Sequence, residues 1–241
     1  MVFGGQILDQ LVCQECGATS EPLLRSGFTH MIYASELINT ARQYPQENFS
    51  QLMAVCFRSS HRLHCPNFES NRCKSSPKLQ AYLLDSPWVM AISIVWQSNQ
   101  EDVSQLVTLM NTLSYRLFLS QIFSVTSNEV SQEGFFFRGM VCYYGLHYVS
   151  IFQDLSSGTP RFLLFDDARI RVIGQWRDVL TECRRARYQP VLLLYEKDSG
   201  TDDYYGKCFR IINSIYKGLV DGESKDISSS PPWNDTGHNG K

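Results

Sequence analysis

Charge of one sign is what this sequence lacks most: Lys and Arg number 22 against 24 Asp and Glu, for a formal net charge of −2. Without a basic run or stripe there is no electrostatic footprint for a phosphate backbone, so no nucleic-acid partner is expected. Long apolar runs are missing too. The longest, around Trp88 to Trp96, falls short of the ~20 residues a bilayer-spanning helix needs, so no membrane partner is expected. The N-terminal MVFGGQILDQ lacks the basic segment and apolar core of a secretory signal. The eight cysteines are therefore read as reduced thiols of a cytoplasmic or nuclear protein. The Asn48-Phe49-Ser50 and Asn234-Asp235-Thr236 sequons are then chance matches. No internal repeat is visible.

What is present suffices for a core: 43% of the 241 residues are hydrophobic and 12% aromatic. Residues 1–197 read as one domain and 198–241 as a tail. The tail is rich in Asp, Gly, Ser and Pro and too poor in apolar surface to order itself. Within it, Phe209, Ile212, Ile215, Tyr216 and Leu219 are spaced for one short helix. Strands are expected over Gly4–Val12, Lys78–Leu84, Trp88–Trp96, Phe118–Val125, Phe135–Tyr144, Arg169–Ile173 and Pro190–Glu196. The third of these is apolar on both faces and hence interior. Ser35 and Asn48 look like N-caps of short amphipathic helices. Val103, Leu106, Val107 and Met110 form a helical stripe with Glu101 and Asp102 at its N-terminal end, and a further helix is expected over Trp176–Ala186. The order is α+β: an antiparallel sheet with a few helices packed on it.

Two groups of residues carry chemistry. The runs GMVCYYGLHYVSIFQ and RFLLFDDARI, joined by DLSSGTP, read as two apolar strands and a tight loop. A loop centred on Ser156 and Ser157 would set Val149 against Leu164, Ile151 against Phe162 and His147 against Asp166. Opposed Cβ atoms lie about 5 Å apart, within reach of an imidazole–carboxylate hydrogen bond. In thiol or hydroxyl chemistry the carboxylate fixes the tautomer while the other ring nitrogen takes the nucleophile's proton. A buried histidine neutralised by a structural aspartate would have the same spacing.

The second group begins with Cys13-Gln14-Glu15-Cys16 followed by Gly17, half of a tetrahedral zinc knuckle. Its candidate other half is Cys65 and Cys73, with His61 and His64 as substitutes. The site would hold zinc on four thiolates, or on three and an imidazole; the alternative is a knuckle without metal, held by packing. Cys56, Cys183 and Cys208 read as small apolar residues. Cys142, in an apolar strand, is a poor nucleophile because such surroundings raise a thiol's pKa.

The order of these motifs resembles the C-terminal part of the catalytic domain of the ubiquitin-specific proteases, papain-like cysteine proteases also called ubiquitin carboxyl-terminal hydrolases. Their His box typically reads Gly-His-Tyr, an aliphatic strand, a hairpin, then an aromatic residue, Asp and Asp or Ser. Here those positions are Leu146-His147-Tyr148 and Phe165-Asp166-Asp167. The resemblance implies removal of ubiquitin by Cys–His–Asp thiol hydrolysis, with His147 as general base, Asp166 as its orienting carboxylate and Asp167 as a supporting polar group. It also implies a sheet "palm", zinc-bearing "fingers" on Cys13, Cys16, Cys65 and Cys73, and ubiquitin or a ubiquitinated protein as partner. Two features depart from the family: no stretch matches its Cys box, and Leu146 stands where glycine precedes the histidine. With the irregular CPNFESNRC, these make the chain similar to the subgroup called inactive ubiquitin carboxyl-terminal hydrolases. A catalytically inactive ubiquitin binder or scaffold is therefore the alternative reading.

Overall fold

The computed structural model describes residues 3–59, 64–70, 72–98, 102–125, 134–155 and 160–198, and the compact unit that holds them ends at Asp198. His61, Glu101, the Ser156–Ser157 loop and the expected tail beyond Asp198, with its short helix and Cys208, lie outside the described residues.

A smaller sheet is built from β1 (Gly5–Val12), β2 (Leu23–Gly27), β4 (Lys78–Leu83) and β7 (Ser124–Val125), in the order β2-β1-β4-β7. The larger one contains β3 (Thr29–Tyr33), β5 (Val89–Val95), β6 (Arg116–Phe118), β8 (Gly134–Tyr144), β9 (His147–Asp154), β10 (Arg161–Asp166), β11 (Arg169–Gly174) and β12 (Gln189–Lys197). Its order is β11-β10-β9-β8-β12-β5-β3, with β6 beside β8. Pairing is antiparallel except for β3–β5 and β4–β7. The helices are α1 (Ala34–Gln43), α2 (Phe49–Ser59), α3 (Val103–Thr112), α4 (Leu119–Ile122) and α5 (Trp176–Ala186). None is long and apolar enough to cross a membrane.

The α+β expectation holds, with four local differences. Strands β2 and β3 were not foreseen; every residue of β2 is exposed, so no alternation marks it in the sequence. The expected strand over Phe118–Val125 is interrupted by α4, whose Leu119 and Ile122 are buried in the core. The run Gly139–Gln153 is two strands with a turn between them. Helix α1 starts at Ala34 rather than after Ser35, with Tyr33 at the cap and no side-chain cap bond. Asn48, by contrast, does cap α2: Gln51 N–H donates to its Oδ1 at 3.1 Å, and its own N–H donates to Gln51 Oε1 at 2.9 Å.

Strand β5 is interior as expected, flanked by β12 and β3, with Met90, Ala91, Ile92 and Ile94 buried. Strands β8, β9 and β10 alternate. Met140, Cys142, Val149, Ile151, Phe162 and Leu164 are buried, and so are Val179 and Cys183 of α5. The Phe137 ring sits at the centre, 4.6 Å from Trp176, 5.5 Å from Tyr195 and 5.7 Å from Phe162. Glu182 of α5 anchors the helix to the edge strand by accepting from Arg171 of β11, and from Arg185 at 2.9 Å. Gly174, with φ of +126°, approaches Asp178 so closely that a Cβ would lie 2.4 Å from its carboxylate. That carboxylate is the one that accepts from the Gln175 N–H at 2.8 Å, closing a capping box at the start of α5.

His30 faces inward from β3, its ring 5.4 Å from Phe123 and 5.9 Å from Phe57. Burial, helped by the Arg25 charge and opposed by Asp9, lowers its pKa to about 4. The folded value lies below the unfolded one of about 6.5, so the unfolded chain takes the proton first as pH falls. Stability is complete above pH ~6.5 and is lost between there and pH ~4. By urea unfolding at pH 7.5 and 4.5, the native protein is expected to lose roughly 2 kcal/mol more than His30→Gln.

Candidate functional site

The ladder between β9 and β10 fixes the site. Leu164 lies opposite Ile151 and Phe162 opposite Gln153, two residues away from the register expected from a loop centred on Ser156–Ser157. In the observed register Arg161 opposes Asp154, and its Nε donates to the Asp154 carboxylate at 3.0 Å. The expected register would instead have set Arg161 against an aromatic ring. Because side chains alternate with a period of two, a shift of two keeps every residue on its face. His147 and Asp166 therefore still continue the inward rows of Val149 and Ile151 and of Phe162 and Leu164, and they meet diagonally rather than directly. His147 Nε2 and Asp166 Oδ1 are 3.0 Å apart, with side chains 40% and 37% exposed. With Asp166 ionised, Nε2 is the donor and Nδ1 is left as the base.

Tight turns bracket the pair. Gly145 and Leu146, both with positive φ (52° and 77°), form the two-residue connection between Tyr144 and His147. Such a primed turn suits the twist of a hairpin and favours glycine or asparagine at both places. Leucine at its second position hides the turn from a sequence reading, which is why the strand was expected to run through. Leu146 is 91% exposed, so nothing in the described protein repays its left-handed backbone. At the other end Asp167, with φ of 50°, starts the turn from β10 into β11. It is exposed and makes no hydrogen bond to His147 or Asp166 among the described residues.

Among the described residues, the thiols outside the knuckle are unfit for attack. Cys142 and Cys183 are wholly buried neighbours, and burial pushes the Cys142 thiol well above its usual value, with Cys183 adding to the effect. Burial likewise raises Cys56, to about 11. These cysteines are small core residues, as expected.

The four knuckle cysteines come together. Their sulfurs all lie within 4.8 Å of one another, with Cys13–Cys73 at 3.7 Å and Cys16–Cys65 at 3.5 Å. Four thiolates about 2.3 Å from one tetrahedral zinc are about 3.8 Å apart, whereas a disulfide needs about 2.05 Å. The donor set and spacing therefore fit zinc. Gly17, with φ of 70°, closes the turn by donating its N–H to Cys13 O at 3.1 Å, and within that turn the Cys16 N–H points at Cys13 Sγ, 3.5 Å away. The Asn67 N–H does the same for Cys65 at 3.4 Å. Ser75, which the sequence reading missed, lies 2.9 Å from Cys13 Sγ and 3.1 Å from Cys73 Sγ. The Cys16 amide, then Ser75, lower the Cys13 thiol to about 6, whereas burial raises Cys65 to about 12. His64 takes no part: its ring stacks on Phe68 at 4.3 Å. Among the described residues Ala18 is the only other hydrophobic one packed here, so a cation holding the sulfurs would substitute for a core.

Two measurements check these assignments. Leu146→Asn, which tolerates the left-handed turn, is expected to stabilise the fold by roughly 0.5–1 kcal/mol in urea unfolding. Elemental analysis of purified protein is expected to find one equivalent of zinc, lost on Cys13→Ser, with chelation lowering the Tm; protein folded and metal-free would contradict the metal assignment.

No family model matches the sequence. Over 208 residues the chain is 32% identical to ubiquitin carboxyl-terminal hydrolase 54 of Mus musculus, a match covering 83% of this chain and 13% of that protein. It is 30% identical over 209 residues to ubiquitin carboxyl-terminal hydrolase 53 of Homo sapiens, covering 83% and 19%. The chain thus spans less than a fifth of the length of these relatives. Among solved structures, it superposes on a chain of the SAGA DUB module of Ubp8, Sgf11, Sus1 and Sgf73 bound to monoubiquitin. There the TM-score is 0.52 at 16% identity, covering 82% of this chain and 41% of that one. The same module bound to ubiquitin aldehyde gives 0.52 at 14% identity, covering 82% and 42%. With the His box and knuckle order read from the sequence, and with a shared fold, the chain belongs to the ubiquitin carboxyl-terminal hydrolase, or ubiquitin-specific protease, family.

Proposed function

We propose that residues 1–197 are the C-terminal part of a ubiquitin-specific protease catalytic domain and supply the general base of a deubiquitinating thiol hydrolase. The observation that carries this reading is the 3.0 Å bond from His147 to Asp166 at the half-exposed end of a core-facing row, with Nδ1 left unengaged by that bond. Nδ1 takes the proton of a thiol held on a family Cys box, and the thiolate attacks the carbonyl carbon of ubiquitin's C-terminal residue, where it is joined to a lysine amine. The imidazolium returns its proton to the leaving lysine amine, and a thioester is left. Water, deprotonated by the same nitrogen, then releases ubiquitin and the thiol. Asp166 stabilises the imidazolium and keeps the ring's orientation. Zinc on Cys13, Cys16, Cys65 and Cys73 is structural in this reading: it holds the tip of the smaller sheet. The partner is ubiquitin or a ubiquitinated protein in cytoplasm or nucleus, in keeping with the ubiquitin-bound state of the structural neighbours.

A second reading, an inactive ubiquitin-binding scaffold, is favoured by Leu146, whose exposed side chain stands beside His147 where the family has glycine. Glycine suits places where another backbone must approach closely.

A fluorogenic ubiquitin amide separates these readings. The chain alone is expected to give no turnover. A longer polypeptide in which it follows a family Cys box is expected to be active, and His147→Ala should lower its kcat by about 10²–10⁴. Activity untouched by His147→Ala removes the catalytic reading. Micromolar ubiquitin binding by calorimetry with no turnover in either form supports the scaffold.

A further inference from the structure

Non-glycine residues with left-handed backbone are strained and gather at functional sites. Among the described residues there are three: Leu146, Asp167 and Arg187, with φ of 77°, 50° and 58°. Leu146 immediately precedes His147 and Asp167 immediately follows Asp166. Arg187 adjoins neither member of the pair in sequence. It caps the C-terminus of α5 and turns the chain so that Tyr188 enters the core, 6% exposed, with its N–H donating to Cys183 O at 3.0 Å.

From there Tyr188 reaches the pair through a chain of rings. Its ring meets Tyr144 edge to face, with centroids 5.2 Å apart at 81°, and Tyr144 in turn meets the His147 imidazole edge to face at 5.8 Å and 78°. Such contacts are directional and resist rotation of either ring. Arg171, which donates to Glu182 of α5, carries its charge near the Tyr188 hydroxyl. The phenol is close enough to Asp166 to feel its charge: burial first, and Asp166 among the lesser causes, raise its pKa.

We propose that Tyr188 is a positioning residue for the His147–Asp166 pair: through Tyr144 it holds the plane of the imidazole. Tyr144 is the intermediate. It is 43% exposed and touches both rings edge to face. What the imidazole is held for rests on the function proposed above, but the ring's orientation does not, and the test uses no ubiquitin.

In the full chain labelled with ¹⁵N-histidine, long-range ¹H–¹⁵N spectra at neutral pH report which ring nitrogen of His147 carries the proton; His147→Gln assigns the signals. The native protein is expected to show one tautomer, protonated on Nε2. Tyr188→Leu and Tyr144→Leu are each expected to lose that signature, the two nitrogens moving toward tautomer-averaged values, while His30 and His64 stay in place. Tyr188→Phe, which keeps the ring, is expected to retain it. A merely structural tyrosine would change the Tm and leave the tautomer alone. Should Tyr188→Leu not fold, Tyr144→Leu decides, since its site is partly open. A folded Tyr144→Leu with an unchanged His147 spectrum overturns the proposal. Failure of the ubiquitin assays with the expected spectra would overturn only the proposed function.

Discussion

The His147–Asp166 pair depends on one constraint, the two-residue period of an antiparallel ribbon. Once Val149, Ile151, Phe162 and Leu164 are committed to the core, parity sends His147 and Asp166 to the same face at the strand ends, where the core gives way to solvent. The pair can then form a hydrogen bond without being sealed off. Further in, it would be a desolvated ion pair of little use to a substrate. On the outer face, it would lose the aromatic wall of Tyr144 and Tyr188. The tight turns at Gly145–Leu146 and Asp167 end the strands on either side of the pair.

The smaller sheet solves a different problem. Its base shares the main core through Ile7, Ala81 and Leu83, but its far end has little apolar material to bury. Thiols take that place. Amides of Cys16 and Asn67 and the Ser75 hydroxyl point at the sulfurs, which favours their ionised form, while burial disfavours it. A divalent cation would resolve that conflict, and would couple the tip of the sheet to it. The matched SAGA chain shares this fold over 82% of the present chain, which covers about two fifths of it.

Much of this was legible in the residues. Aromatic and β-branched runs marked most strands of the larger sheet, and helix α5 and the interior strand β5 fell where the periodicity put them. The four thiols and the His–Asp pair were found from spacing and motif. What escaped were features whose signal is not in the local pattern. Strand β2 is exposed throughout, so it has no period. The Gly145–Leu146 turn carries leucine where the backbone asks for glycine. The β9–β10 register was decided by Arg161 meeting Asp154, which counting from the middle of a loop does not reveal. Ser75 and Tyr188 reach their sites only through tertiary packing, and no motif announced either.

The register and the pair it creates are open to direct observation by isotope-edited NOE spectroscopy on the full chain. Backbone contacts of Ile151 with Leu164 and of Gln153 with Phe162 are expected, with Tyr144 protons close to the His147 ring. Contacts of Val149 with Leu164 and of Ile151 with Phe162, or a His147 ring seen only by outward-facing Tyr148 and Phe165, would contradict the account.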